Sequence, residues 1–295
     1  MLEQMRQQVT QVHHAIGQLW RREGFLDRLA EHGPEMARML AFAESITGDR
    51  PPACNHPQQR PFYLPPFPGL NAQAWHDPST YPWAAPLLAA SATIRAELDR
   101  LVNSQRRFLR YMRTARGATW DVHPMWFMGT PLPAYTAPCP ETARALVALP
   151  DFAGSHIWGD AAFSSFSPGA HLGAHCSADN LRVRCHLPLR VRAQGAWLRV
   201  GDETRQWEED TLLAFDDAFE HEASNPTSET RIVLIVDFWH PDLTPLERRA
   251  LLAAFGRAEV RALFAPFRAV VTDEMRAGWT TAEVHDELFS PPPRG

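Results

Sequence analysis

The chain has 295 residues, enough for one large domain with an added segment or for two small ones, and with 45% hydrophobic residues and 10 tryptophans it can form a substantial core. Its formal net charge is −5, from 29 basic and 34 acidic residues, a balance that argues against a nucleic-acid binder or a polybasic membrane surface and points to a small or peptide-sized partner. Four cysteines (Cys54, Cys139, Cys176, Cys185) at irregular spacings, with no CxxC pair, suggest neither a zinc ribbon nor a disulfide framework. The first 25 residues are too polar for a signal peptide and no run of about 18 apolar residues occurs, so the expectation is a soluble, cytoplasmic protein without a membrane partner. All basic residues are arginine, which reflects coding bias first, although arginine also suits bidentate carboxylate recognition.

In chain order, residues 1 to about 47 carry apolar positions at helical spacing (Val9, Val12, Ile16, Leu19, then Leu29, Met36, Leu40, Phe42), interrupted at Gly24 and Gly33-Pro34, and predict two helices in an N-terminal segment 1–50. Seven prolines within 51–68 exclude regular structure there and predict a linker or an arm across the surface. The remainder, 69–295, reads as the main domain. Ala84 to Met112 reads as helical, a Trp-rich stretch follows (Trp120, Trp126), and a short helix is expected near Pro140. From Phe163 to Trp239 the pattern changes to alternation with Gly, Pro and Asn punctuation, which predicts short strands. Beyond it, Thr244 as N-cap, Pro245 at the first helical position and Glu247 three residues after the cap open one or two C-terminal helices.

Within the β block, LRVRCHLPL alternates strictly, so Arg182, Arg184 and His186 share one face of a strand while Leu181, Val183, Cys185 and Leu187 share the other. A solvated outer face is the ordinary reading of such charges. The flanking segments favour an inner face. AWLRV, the turn Gly201-Asp202-Glu203 and TRQW form a hairpin, and TRIVLIVDFW is apolar enough to be a buried strand. Short antiparallel strands with histidines at the ends of two of them predict a mainly β core with flanking helices (α+β): a double-stranded β-helix, the jelly-roll, cupin-like barrel whose mouth commonly holds a metal.

The stretches HLGAHCSADNLRVRCHLPL, WLRVGDETRQWEEDTLLAFDDAFEHEASN and TRIVLIVDFWHPDLTP resemble the aspartyl/asparaginyl β-hydroxylase family of 2-oxoglutarate oxygenases, with FDDAFEHE and WHPDLTP the most specific segments. A weaker likeness starts near PFYLPPFPGLNAQAWHDPSTYPW and runs to about Phe255, some two-thirds of the chain, leaving residues 1 to about 50 outside it.

The resemblance implies Fe(II) as metal, with 2-oxoglutarate and O₂ as cosubstrates. His175 and His221 would hold the iron as neutral imidazoles, with other positions open. Where most such oxygenases place a carboxylate two residues after the first ligand, this chain has Ser177, a departure the closest family shares, with water filling the position. Asp179 is the nearest spare carboxylate. Arg231, ten residues after His221, would take the distal carboxylate of 2-oxoglutarate, with hydrogen bonds from Ser164 and His186. His186 is also the rival metal ligand. Arg182 and Arg184 would make the pocket strongly cationic and hold an acidic substrate side chain, and Trp120 would wall the pocket or serve as plain core. Asp216 and Asp217 would orient His221 or an arginine, or form a turn. Cys185, facing away from His186, reads as core.

The implied reaction is β-hydroxylation of an aspartyl or asparaginyl side chain in a peptide, a carrier-bound residue or a free amino acid. Two other classes fit the residues: a non-catalytic jelly-roll module that binds a carboxylate, and a zinc-dependent hydrolase on a cupin-like barrel.

Overall fold

The computed structural model describes residues 2–104, 108–114, 117–191 and 194–267. The N-terminal segment forms three helices where two are predicted: α1 (Leu2–Arg22), α2 (Phe25–Glu31) and α3 (Ala37–Thr47). Gly24 (φ 63°) separates the first two, and Gly33 (φ 66°), followed by Pro34 in a 3₁₀ turn, separates the next. Ile16, Trp20, Leu29 and Phe42 of these helices share a core with Trp158, Trp239, Phe255 and Phe264.

The proline-rich residues 51–68 contain no helix or strand beyond a single bridge, Gln59 to Phe219. They lie against two loops of the barrel: the Arg60 N–H donates to the Ala218 carbonyl (2.9 Å), Phe62 N–H to Ser177 (2.8 Å) and Leu64 N–H to Ala178 (2.9 Å). The arm thus ties down the segments that immediately follow His175 and precede His221.

Strand β1 (Trp75–His76) comes next, then α4 (Ala84–Ala89) and α5 (Ser91–Asn103). The single helix predicted over 84–112 therefore breaks at Ala90 and stops at Asn103. Its last stretch is instead strand β2 (Leu109–Arg113), because Leu109 to Arg113 find a partner in β3 (Thr119–Phe127), and pairing overrides local helical spacing. The Trp-rich stretch is β3 itself. After β4 (Thr130–Pro131) and α6 (Pro133–Thr136), the short helix predicted near Pro140 is α7 (Pro140–Ala148).

Eight strands follow: β5 (Ala161–Phe166), β6 (Ala170–His175), β7 (Arg182–Arg190), β8 (Trp197–Val200), β9 (Glu203–Gln206), β10 (Leu213–Phe215), β11 (His221–Asn225) and β12 (Arg231–Trp239). One sheet has the order β1-β10-β7-β12-β5-β3-β2, with β4 on β3; the other has the order β6-β11-β8-β9. The chain passes repeatedly from one sheet to the other, and Phe166, Phe215, Val233 and Ile235 of the first meet Leu198, Val200 and Ala223 of the second in one core. This is a double-stranded β-helix, extended on one sheet by β1 to β4. Two helices close the described chain, α8 (Pro245–Phe255) and α9 (Ala258–Phe264). The predicted capping box is present, with Thr244 and Glu247 bonding each other's backbone.

Strand β7 is buried on both faces. Val183, Cys185, Leu187 and Leu189 pack outward with Ile232, Leu234, Val236 and Phe238 of β12, under Ile94 and Leu98 of α5 and Leu146 of α7. Arg182, Arg184 and His186 therefore point between the sheets, and register sets His186 opposite Ile235 and Arg184 opposite Asp237. Cys185 is core, on the face away from His186.

Candidate metal centre and adjoining cavity

The β6–β11 register sets His175 directly across from His221, with ring centroids 4.1 Å apart. Each ring is anchored in the same way. Nδ1 of His175 donates to the Gly173 carbonyl (2.8 Å) and Nδ1 of His221 to the Phe219 carbonyl (3.0 Å). A carbonyl can only accept, so the proton sits on Nδ1 and both Nε2 lone pairs are left to a ligand. Burial, and then the neighbouring His175, push the His221 pKa down to about 3; burial also lowers that of His175. Both rings are thus neutral near pH 7, the form a divalent metal requires. Among the described residues no cluster of three or more His, Cys, Asp or Glu side chains is arranged to hold a metal. The donor set is two imidazoles, and it fits a mononuclear metal that keeps open positions.

Ser177 and Asp179 are engaged elsewhere. The Ser177 hydroxyl accepts from Nη2 of Arg182 (2.8 Å). Asp179 is fully buried, accepts the Leu181 N–H (2.9 Å) and lies 3.4 Å from Nε of Arg182.

Arg231 opens β12 on its inward face, 3% exposed, with its guanidinium 4.2 Å from the Phe166 ring centroid and 4.4 Å from that of Trp207. It makes one long bond, 3.4 Å to the Ser164 carbonyl, its Nε has no partner, and burial draws its pKa down to about 9. A buried cation without a carboxylate is costly, and two aromatic faces offset only part of that cost. Beside it, Nδ1 of His186 accepts from the Trp207 indole N–H (3.1 Å). The proton of neutral His186 therefore sits on Nε2, which makes this ring a donor and removes it as a rival metal ligand. Its pKa is held well below the usual value, by burial first and then by Arg231, Arg184 and His221. The Ser164 hydroxyl accepts from the Trp120 indole (3.0 Å) and keeps its own proton to donate. Among the described residues Arg231 has no carboxylate partner, and His186 and Ser164 offer two further donors on the same inward-facing surface.

The pocket expected to be strongly cationic is not. Arg182 is 1% exposed and shut behind the wall, with Asp217 at 3.2 Å, Asp237 at 3.1 Å and Asp179 at 3.4 Å. It does not line the cavity, which corrects the expectation that it meets substrate. Arg184, with a side chain 16% exposed, does line it, but Nε and Nη2 form a two-pronged pair with Asp237 (2.8 Å each) and Nη1 lies 3.0 Å from Asp217. Asp160 is 3.8 Å away. Burial alone would raise the Asp217 carboxyl, but Arg182 and Arg184 outweigh it and hold that carboxyl well below its ordinary range. Four carboxylates surround two guanidiniums. Asp216 meanwhile accepts the Ala218 N–H (2.8 Å) and the Gln59 amide (2.5 Å), so it shapes the turn and anchors the arm.

A cavity of about 400 Å³ opens at His175. Arg184, Trp120, Trp126, Phe127 and Trp158 are among its walls. Trp158, stacked on Tyr63 of the arm at 4.9 Å, has no signal in the sequence. Asp237 and Trp207 did have one: a lone acid inside an apolar strand, and an indole ending a hairpin.

A family model described as "Aspartyl/Asparaginyl beta-hydroxylase" matches residues 89–241, just over half of the chain. Human aspartyl/asparaginyl beta-hydroxylase is 37% identical over 134 residues, covering 45% of this chain and 18% of that protein. Mouse aspartate beta-hydroxylase domain-containing protein 1 is 41% identical over 121 residues, covering 40% and 33%. The chain thus matches only about a fifth to a third of the length of these relatives. A prolyl-4-hydroxylase structure from Pseudomonas putida aligns over 51% of this chain and 87% of that one, at 17% identity and a TM-score of 0.33.

Proposed function

Because the chain belongs to the aspartyl/asparaginyl β-hydroxylase family, we propose that it is an Fe(II)- and 2-oxoglutarate-dependent dioxygenase that hydroxylates a carbon of its substrate. The observation that carries this reading is Arg231: a buried guanidinium with no carboxylate partner among the described residues, beside His186, whose ring feels both Arg231 and His221. A dicarboxylate that bridges the two features supplies what each lacks.

In this reading Nε2 of His175 and of His221 hold the metal, and their Nδ1 anchors fix the ring planes. Arg231 takes the distal carboxylate of 2-oxoglutarate, and Ser164 and His186 donate to the cosubstrate. Asp217 neutralises Arg182 and Arg184, and its carbonyl accepts the Ser177 N–H (2.8 Å), which ties the segment after His175 to the segment before His221. Ser177, whose hydroxyl accepts from Arg182, would not supply a third protein ligand. When bound, iron(II) with 2-oxoglutarate and O₂ supplies the oxidant for C–H hydroxylation, the cosubstrate leaving as succinate and CO₂. The side chains bind and position; none is needed as an acid or base. Aspartyl and asparaginyl side chains, named in the family's description, are the first substrates to test.

Labelled 2-oxoglutarate should give succinate only with iron and O₂, and His175→Ala should abolish it. Tight 2-oxoglutarate binding without turnover would support a non-catalytic binding module instead.

A further inference from the structure

We propose that Gln59, in the proline-rich arm, is a positioning residue for the His175–His221 pair: its buried side-chain amide links the segment that follows one histidine to the turn that precedes the other, and so sets how tightly the pair holds a divalent metal. The proposal rests on the reading of that pair as a metal centre. It extends that reading to a residue that precedes position 89, where the match to the family model begins.

His175 is the last residue of β6 and His221 the first of β11, so the ladder that pairs them stops at the pair itself. The ladder is also irregular there, with a register shift between His221 and Ala223. Two imidazoles chelate one ion only while both lone pairs stay aimed at one point, so whatever holds the chain just beyond these strand ends bears on affinity.

Gln59 sits between those two stretches. It is 4% exposed, its amide N–H donates to the Asp216 carboxylate (2.5 Å), and its side-chain carbonyl accepts from the Asn180 amide (3.2 Å). On one side the Asp216 carboxylate also accepts the Ala218 N–H (2.8 Å), and its backbone carbonyl accepts the Phe219 N–H (3.2 Å). The Phe219 carbonyl, at the end of that turn, is the group that accepts from Nδ1 of His221. On the other side Asn180 lies in the segment leading away from His175, and its side-chain carbonyl accepts the Phe67 N–H (2.8 Å). A carboxylate can only accept and a backbone N–H can only donate, which fixes the orientation of both amides. Asp216 and Asn180 are fully buried, where a bond to a carboxylate is strong and its loss leaves the acceptor desolvated.

The test is calorimetric titration of the full chain with Zn(II) alone at about pH 6.5, close to the ordinary imidazole value. Gln59→Leu keeps the size of the side chain without its donor or acceptor, and is expected to bind Zn(II) about tenfold or more weakly. Gln59→Glu is expected to bind within about threefold of the unaltered chain, because two buried carboxyl groups in contact hold one proton between them and so keep a hydrogen bond and a single charge. Asp217 and Arg182, the other charged groups that act on Asp216, are the same in both variants. A glutamine that served the fold alone would lower the urea midpoint and leave the Zn(II) affinity of the folded protein where it was. Coupling is reciprocal, so Zn(II) should in turn slow amide exchange at Arg60, Phe62 and Leu64 of the unaltered chain by about threefold or more, although the arm supplies neither ligand. The proposal is overturned if folded Gln59→Leu binds Zn(II) as tightly as the unaltered chain, if Gln59→Glu binds as weakly as Gln59→Leu, or if Zn(II) leaves exchange in the arm unchanged; the exchange measurement needs no variant. Failure of the metal-centre reading shows separately, as a His175→Ala chain that binds Zn(II) as the unaltered chain does.

Discussion

The indole N–H of Trp207 donates to Nδ1 of His186 across 3.1 Å, and that one bond decides which nitrogen of a buried imidazole carries the proton. It turns His186 into a donor through Nε2, next to an arginine that Trp207 also covers with its ring face at 4.4 Å. One side chain at the end of a hairpin therefore sets both the tautomer of His186 and the surroundings of Arg231, the proposed carboxylate site. Trp207→Phe keeps a ring over Arg231 and removes only the donor. We expect it to fold normally and to weaken 2-oxoglutarate binding by about fivefold, the worth of a buried hydrogen bond of roughly 1 kcal/mol, as read by calorimetry under anaerobic conditions.

Arg231→Met separates binding from folding. The guanidinium is 3% exposed and has no carboxylate among the described residues, so its burial opposes stability until a ligand arrives. The variant should be more stable than the unaltered chain by about 1–2 kcal/mol in urea without ligand, and should bind 2-oxoglutarate at least a hundredfold more weakly. A variant that loses stability without ligand would show that Arg231 serves the fold.

Asp237→Asn tests the arginine cage. Asp237 is fully buried and pairs with Arg184 at 2.8 Å on two nitrogens and with Arg182 at 3.1 Å. Its loss leaves two buried guanidiniums undercompensated, at a cost of about 3–5 kcal/mol, which should appear as a large drop in the urea midpoint and as loosening of the loops before His221 and after His175 in hydrogen exchange.

The buried histidines predict acid lability. Burial lowers the pKa of His76 and of His156 to about 4 and, with His175 beside it, that of His221 to about 3. Unfolded, each ring takes up a proton near pH 6.5. Between those values the unfolded chain binds more protons than the folded one, so stability is full above about pH 6.5 and falls as the pH drops toward 4. His76→Gln should remove part of that loss, on the order of 1–2 kcal/mol between pH 7 and pH 5, measurable as a shallower dependence of the urea midpoint on pH.

The sequence carried the barrel well, because its strands obey period two and its turns carry Gly, Pro and Asn. Arg182, Arg184 and His186 could be placed on one face before any coordinates. What alternation cannot give is what stands opposite that face. The acids that neutralise the two arginines come from 160, 179, 217 and 237, four separate segments, so two arginines on one strand do not give the charge of the pocket. The helix expected through Met112 failed for a related reason: Leu109 to Arg113 have helical spacing locally, but β3 offers a long-range partner. The proline-rich arm was legible as irregular, yet its backbone bonds to Ser177 and Ala178, and the stacking of its Tyr63 on Trp158, exist only in three dimensions.

The central claim is that His175 and His221 hold an iron on which 2-oxoglutarate sits as Arg231 grips its far end. Anaerobic titration of the Fe(II)-loaded chain with 2-oxoglutarate, followed by the visible charge-transfer band of the chelate, tests this most directly. The band should saturate at one equivalent per chain, and vanish in folded His175→Ala and His221→Ala. A chain that binds iron yet shows no band, or a band that survives in both variants, would contradict it.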